Sequence, residues 1–376
     1  MRVGIMTMHR IPNYGSFLQA LSLKMIIESL GHEVIFVDFK IDPDVEHRGD
    51  LYSLIQCKKK SIMKIIRGTK IGSQLFYFLK EHSSSKDIIK KQLIFSSCND
   101  MLGVSNKYHY RCKVDVLIIG SDEVFNCTQF GNNVGYSLEL FGKDNKAKKI
   151  ITYAASFGST TMTKINHYGI ADELGILLNK MQAVSVRDHN SFKIVQSISN
   201  KKPFLHLDPV LVGNIENLFN FVPQEKGYVI LYGYTYRFTK EECNAILEFA
   251  HSHNKKVIAL GEPQYKCDNY ICCKPDEVMG YFKNSDYIFT DTFHGTIFSV
   301  INHKQFLTIV RTSGQSDSSN QEKLESLLSD LGLEDRRLSN LDEISKVLYN
   351  IDYDRVDSIR KLAKNNAIRY LSKFVN

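Results

Sequence analysis

Residues 1–39 read as strand, helix, strand. "RVGIMTM" is a buried-type strand. "GSFLQALSLKMIIESLGH" carries Leu18, Leu21, Met25, Ile26 and Leu30 at helical spacing and stops at a Gly-His pair. "EVIFVDF" is a second strand. Two strands joined by a helical crossover lie parallel in one sheet. This unit commits the start of the chain to an α/β sheet with helices on its faces.

The same alternation returns in "VDVLIIGSDEVFN", "KKIITYAASFGS", "MQAVSVRDHNSFKIVQS" and "PFLHLDPVLV". Residues 212–227 read as a linker. A second series then runs from "YVILYGYT" through "KKVIALGEP" to "DYIFTD" and the helix-strand pair after it. At 376 residues the chain is long enough for two domains. The expected fold is therefore α/β, with two Rossmann-like doubly wound domains facing a central cleft. They are expected over 1–215 and 216–350, with a C-terminal amphipathic helix over 351–376 packing back on the first. A basic helical insertion is expected at about 51–92, where ten Lys and Arg face only Glu81 and Asp87. It reads either as solvated faces over an apolar seam or as a surface that docks on an anionic membrane.

Composition narrows the function. Net charge is +7, which permits phosphate-bearing substrates without demanding nucleic acid, and no RNA-recognition, zinc-finger or basic-zipper signature occurs. The eight cysteines form no CxxC pair and no metal cluster is expected. No run approaches the roughly 18 apolar residues of a membrane span. The expected location is cytoplasmic, at the inner face of the cell membrane if the basic insertion docks there.

In open parallel sheets, ligands sit beyond the carboxyl ends of the strands. After the first strand, Asn13, Gly15 and Ser16 stand at a helix start. There they form either an anion site or a capping turn. After "VLIIG" come Ser121, Asp122, Glu123 and Asn126, able to bind sugar hydroxyls or to cap. Arg187 follows "AVSV" and offers a fork for carboxylate or phosphate, or a surface ion pair with Asp188. After "YIFT" come Asp291, Thr292, Phe293, His294, Gly295 and Thr296. Here His294 can bind an anion or carry a proton, and Gly295 lets a backbone approach closely. No Walker A motif and no nucleophile elbow competes.

Several blocks, in order, resemble the polysaccharide pyruvyl transferase family: "NYGSFLQALSLKMIIESLGHEVIFVDF", "DVLIIGSDEVFN", "YAASFG", "VSVRDHNS", "LDPVLV" and "DTFHGTIFSVINHKQFLTI". The resemblance runs from residue 1 to about 310. It implies a GT-B-like pair of domains and transfer of pyruvate from phosphoenolpyruvate onto a glycan as a cyclic ketal, with phosphate released and no further cofactor. The implied acceptor is a polyprenyl-linked oligosaccharide of bacterial surface polymer synthesis. Arg187 and His294 match family positions around the donor. Many members carry Arg two places before the histidine, where this chain has Thr292. The resulting expectation makes His294 and Asp122 catalytic. It assigns Arg187, Asn13, Gly15, Ser16, Gly295 and Thr296 to the donor, and Ser121, Glu123 and Asn126 to the acceptor. The competing readings are a GT-B-type glycosyltransferase using a nucleotide sugar and a non-catalytic glycan- or carboxylate-binding protein.

Overall fold

The computed structural model describes residues 1–48, 86–129, 134–311 and 321–375. The expected basic insertion lies outside them up to residue 85, and its last residues enter a helix, Lys86–Ser97. The chain divides into two compact units. One is Met1–Gly213 together with Ala363–Asn376, the other Asn214–Leu362.

The first unit is built on strands β1 (Arg2–Met6), β2 (Glu33–Phe36), β3 (Val116–Ile119) and β4 (Lys149–Thr152), parallel throughout and ordered β2-β1-β3-β4. The short pair β5 (Ser185–Val186) and β6 (Phe204–Leu205) continues beyond β4 through the bridges Ile151–Ala183 and Ala155–Val186. β3 reads Val-Leu-Ile-Ile and all four residues are buried, as expected for a strand covered on both faces. Each such side chain contributes roughly 1.5–3 kcal/mol by leaving water. The helix Tyr14–Ser29 is apolar nearly all round, so it is buried rather than amphipathic, and it packs on the short helix Pro209–Val212.

The second unit holds β7 (Tyr228–Tyr232), β8 (Lys256–Leu260), β9 (Asn269–Ile271), β10 (Tyr287–Thr290), β11 (Gln305–Ile309) and β12 (Arg337–Leu338). They are parallel and ordered β12-β11-β10-β7-β8-β9. Counted from β7, this is the doubly wound order 3-2-1-4-5-6 of dinucleotide-binding sheets. Val229, Leu231, Phe238, Ile246, Phe289 and Leu307 form its core on one face.

The last helix, Tyr353–Val375, crosses the division at Leu362. Its first half joins the second unit, where Arg360 pairs with Glu216 at 3.0 Å. Its second half buries Ala367, Tyr370, Leu371 and Val375 in the first unit. Tyr370 Oη donates to the Thr152 carbonyl at 2.8 Å, and its ring lies 4.7 Å from that of His206.

Candidate functional site

A doubly wound sheet binds ligands where neighbouring strands send their chains in opposite directions. In the first unit that point lies between β1 and β3. The chain leaving β3 passes Gly120, where a Cβ would come within 2.3 Å of the Tyr153 carbonyl oxygen, so a side chain has no room. Asp122 follows at φ +76°, a left-handed conformation that aspartate tolerates better than most residues. Its Oδ2 accepts from Ser16 Oγ at 2.8 Å, so the two strand ends are tied together across the switch point.

The neighbours of Asp122 are mostly internal. Ser121 is fully buried and donates to Gln19 Oε1 at 2.7 Å, while Gln19 donates to Thr7 Oγ1 at 3.0 Å. Asn13 caps the helix Tyr14–Ser29 by accepting from Ser16 N at 3.1 Å, and Gly15 is buried in its first turn. Asn126 is buried, donating to Glu123 Oε2 at 2.9 Å and accepting from Thr160 Oγ1 at 3.0 Å. The expected acceptor ligands Ser121 and Asn126 are therefore braces of the turn. Of that trio only Glu123 keeps partial exposure.

Arg187 leaves the end of β5 with its side chain 2% exposed, 3.0 Å from Asp208 Oδ2 and 3.6 Å from Asp122 Oδ1. Asp208 also caps the helix Pro209–Val212 by accepting from Val210 N at 3.0 Å. Burial opposes the charge on Arg187, but Asp122, Asp208, Glu123 and Asp188 outweigh it and hold the guanidinium above its usual pKa. The sequence suggested a cation offered to the donor. The structure instead gives Arg187 to buried carboxylates, Asp122 among them. Asp188, its expected ionic partner, caps the helix His189–Ile198 and accepts from Ser156 Oγ at 2.6 Å.

A further cluster went unnoticed in the sequence. Arg10, just beyond β1, donates from Nε and Nη2 to Asp38 at 2.5 and 3.1 Å, while His9 Nε2 lies 3.3 Å from Asp38 Oδ1. Burial pushes the Asp38 carboxyl up, yet His9 and Arg10 outweigh it and hold it far below the usual range. The signal was positional: Arg10 and Asp38 both follow strands.

In the second unit the switch point lies between β7 and β10, where Thr290 leads into the turn. Thr292 Oγ1 accepts from Gly295 N at 2.9 Å and caps the helix Phe293–Ile301. Gly295 is required here, since a Cβ would lie 2.1 Å from Thr290 Oγ1. Thr296 is fully buried and shares a 2.9 Å hydrogen bond with Thr308, so it braces the helix against β11. His294 is half-buried in the first turn, its ring 6.0 Å from that of Phe298. Helix N-termini of this kind favour anions.

Two arginines meet beside this turn. Arg237 Nε lies 2.9 Å from Asp291 Oδ2, and Arg311 Nε lies 3.4 Å from the same oxygen. Arg311 also grips Glu242 through both terminal nitrogens, at 2.6 and 2.8 Å. Burial drives the Asp291 carboxyl upward against the pull of Arg237 and Arg311. Burial likewise opposes the Arg311 charge, but Glu242 and Asp291 prevail and hold it up. Arg237, with its side chain 16% exposed, is the more accessible of the pair. Neither arginine stood out in the sequence, because Arg237 follows β7 and Arg311 follows β11, on either side of the turn that carries Asp291. Among the described residues no helix is long and apolar enough to cross a membrane.

A family model described as polysaccharide pyruvyl transferase matches residues 13–313. No curated protein matches the chain. Among solved structures, a putative UDP-N-acetylglucosamine 2-epimerase from Listeria monocytogenes is 8% identical, with 98% of this chain and 94% of that one covered at a TM-score of 0.48. The UDP-GlcNAc 2-epimerase of Neisseria meningitidis is 13% identical, with 100% and 99% covered at 0.47. An O-GlcNAc transferase mutant of Thermobaculum terrenum is 10% identical at 0.40, and this chain, 99% covered, spans 64% of it.

Proposed function

The chain belongs to the polysaccharide pyruvyl transferase family, and from that premise we propose that it moves pyruvate from phosphoenolpyruvate onto two hydroxyls of one sugar. The product is a cyclic ketal and the released group is phosphate. The proposed acceptor is a polyprenyl-linked oligosaccharide of a bacterial surface polymer, met at the cytoplasmic face of the membrane. The observation that carries the reading is the turn at 290–296. It sets a half-buried His294 in the first turn of a helix, with Arg237 held beside it through Asp291. A helix N-terminus, an imidazole and a guanidinium together suit a small polyanion better than a neutral ligand.

In the proposed chemistry His294 protonates the methylene carbon of the donor. The neighbouring carbon becomes an oxocarbenium centre, and a sugar hydroxyl attacks it and loses its proton to a base. Phosphate then leaves with its bridging oxygen, and the second hydroxyl attacks to close the ring. One hydroxyl proton balances the new methyl group and the other leaves with phosphate. Asp122 is the proposed base. Arg187 is assigned a positioning role, because its buried guanidinium lies 3.6 Å from Asp122 Oδ1 and fixes where that carboxylate points. Arg237 takes the donor-binding role expected of Arg187 and supplies a cation where Thr292 does not.

The test is phosphate release from phosphoenolpyruvate in the presence of lipid-linked oligosaccharide extracts, with the pyruvyl mass sought on the acceptor. Phosphate release that ignores the acceptor, or an acceptor that gains no mass, refutes the reading. A second reading, a glycosyltransferase using a nucleotide sugar, is favoured by the 3-2-1-4-5-6 order of the second sheet. It requires that UDP-sugars raise the melting temperature while phosphoenolpyruvate does not. A non-catalytic binding protein would bind glycan or carboxylate and release no phosphate.

A further inference from the structure

Strands β7 and β8 are neighbours, so the segments that leave them, 233–239 and 261–268, emerge side by side at the carboxyl edge of the second sheet. Three tyrosines stand there with their rings in solvent: Tyr234 is 47% exposed, Tyr236 51% and Tyr265 50%. The rings of Tyr236 and Tyr265 lie 5.1 Å apart at 36°. Arg237 sits 5.3 Å from the Tyr234 ring and Lys240 5.8 Å from that of Tyr265.

The two segments are bolted together beneath these rings. Tyr236 N donates to the Pro263 carbonyl at 3.0 Å, Gln264 Nε2 donates to the Tyr234 carbonyl at 2.9 Å, and Thr235 Oγ1 donates to Glu262 Oε2 at 2.7 Å. Phe238 is fully buried below as an anchor. Tyr236 is held at φ +51°, a conformation that a bulky side chain rarely adopts. A structure that fixes an exposed aromatic against its own backbone preference pays stability for where the ring points, and such strain gathers at ligand clamps.

We propose that Tyr234, Tyr236 and Tyr265 form a stacking platform for sugar rings of the acceptor glycan. A pyranose offers one face of C–H groups and an edge of hydroxyls. Aromatic faces match the first, and the rim of Thr235, Glu262 and Lys240 matches the second. Neither segment contains Val, Ile, Leu or Met, so a lipid surface would find nothing aliphatic to take up. The platform continues directly from β7, the strand beside β10, whose end leads to His294. The name of the occupant rests on the transferase reading, whereas the platform itself rests on the tyrosines.

The test is a glycan array of hexose-, N-acetylhexosamine- and uronate-containing oligosaccharides probed with the full chain, then solution titration of the tightest ligand. Phosphoenolpyruvate binding is followed in parallel by thermal shift. Expected is a Kd at least tenfold weaker in the triple variant Tyr234→Ala, Tyr236→Ala, Tyr265→Ala, with binding kept in the triple Phe variant and the donor shift unchanged in both. Tyr236→Gly should raise the melting temperature while weakening the glycan, a split that a purely structural tyrosine would not give. The platform is overturned if no array glycan binds, if the triple Ala variant binds as the parent does, or if UDP rather than glycan binding needs the tyrosines. A donor shift with tyrosine-independent glycan binding removes the platform and leaves the transferase reading. Tyrosine-dependent glycan binding without any donor shift does the reverse.

Discussion

His206 ties the last helix to the first unit, and protonating it should loosen that attachment. The ring is 8% exposed, shares a 2.8 Å hydrogen bond with Ser185 Oγ, and clusters with the rings of Tyr153 and Tyr370, at 5.6 and 4.7 Å. Burial lowers its pKa from 6.5 to about 4, against the smaller upward pull of a hydrogen bond with the Asn366 backbone. The unfolded chain therefore binds this proton more readily than the folded one, and stability rises with pH across that interval. The contribution is fully present above pH 6.5 and is lost as pH falls through 6.5 toward 4. At pH 4 the folded state has lost about 3 kcal/mol through this one group, taking 1.36 kcal/mol per pKa unit. Tyr153 and Tyr370 are both pushed upward by burial and stay neutral throughout, so they do not mask the effect. His206→Gln removes the ionisation and keeps a hydrogen-bonding group. It should cost ~1 kcal/mol at pH 7.5 through lost ring stacking, and the gap should close and reverse by pH 4. Urea unfolding followed by tyrosine near-UV circular dichroism at pH 7.5, 6, 5 and 4 measures both curves, and amide exchange over 363–375 localises the loss. Parallel curves across the four pH values would refute the reasoning.

Other substitutions probe the two strand-end sites. His294→Gln should lower kcat by about 10² to 10⁴ with the melting temperature unchanged, the range expected for a lost general acid; full turnover in this variant removes His294 from the chemistry. Arg187→Ala leaves Asp208 and Asp122 without their shared guanidinium and should destabilise by ~3–5 kcal/mol, read as a lower urea midpoint with an unaltered slope. An Arg187→Ala protein as stable as the parent would show that the pair with Asp208 is not a buried ionic contact in solution. Gly295→Ala forces a Cβ against Thr290 Oγ1 and should cost ~1–3 kcal/mol, whereas Ser299→Ala, on the same helix, should cost less. For Asp38 the folded pKa is depressed, so its stabilisation is present above the unfolded value near 4 and is lost as pH falls below it. Asp38→Asn should therefore flatten the acid limb of the stability curve, and an unchanged limb contradicts the pairing with Arg10.

The strands were legible because parallel strands covered on both faces are continuous apolar runs, and Val116–Ile119 and Tyr287–Thr290 stand out as such. The residues following them were equally legible, since a sheet presents its ligands at one edge. That placed attention on Asp122, Arg187 and His294 at their strand ends. What stayed hidden depends on which strands are neighbours. Ser121 looked available for a ligand until Gln19, about a hundred residues earlier, took its hydroxyl. Arg237 and Arg311 are unremarkable in sequence and meet at Asp291 only because β7 and β11 flank β10. Asp208 reads as an ordinary Asp-Pro helix cap, which it is, and nothing local announces that its other oxygen holds Arg187. A left-handed tyrosine at 236 is likewise beyond sequence reasoning, because Asn or Gly is the usual occupant of that conformation.

The crossing helix has a practical outcome for dissecting the protein. Cutting the chain at the 213/214 junction does not release two self-sufficient halves, because residues 363–376 belong with the first. The leading fragment would then lack Leu371 and Val375, both fully buried in the parent, and the Thr152 carbonyl would lose its tyrosine donor. A soluble stand-alone version of that half calls for a graft, with residues 363–375 added in trans as a peptide or joined back through a short tether.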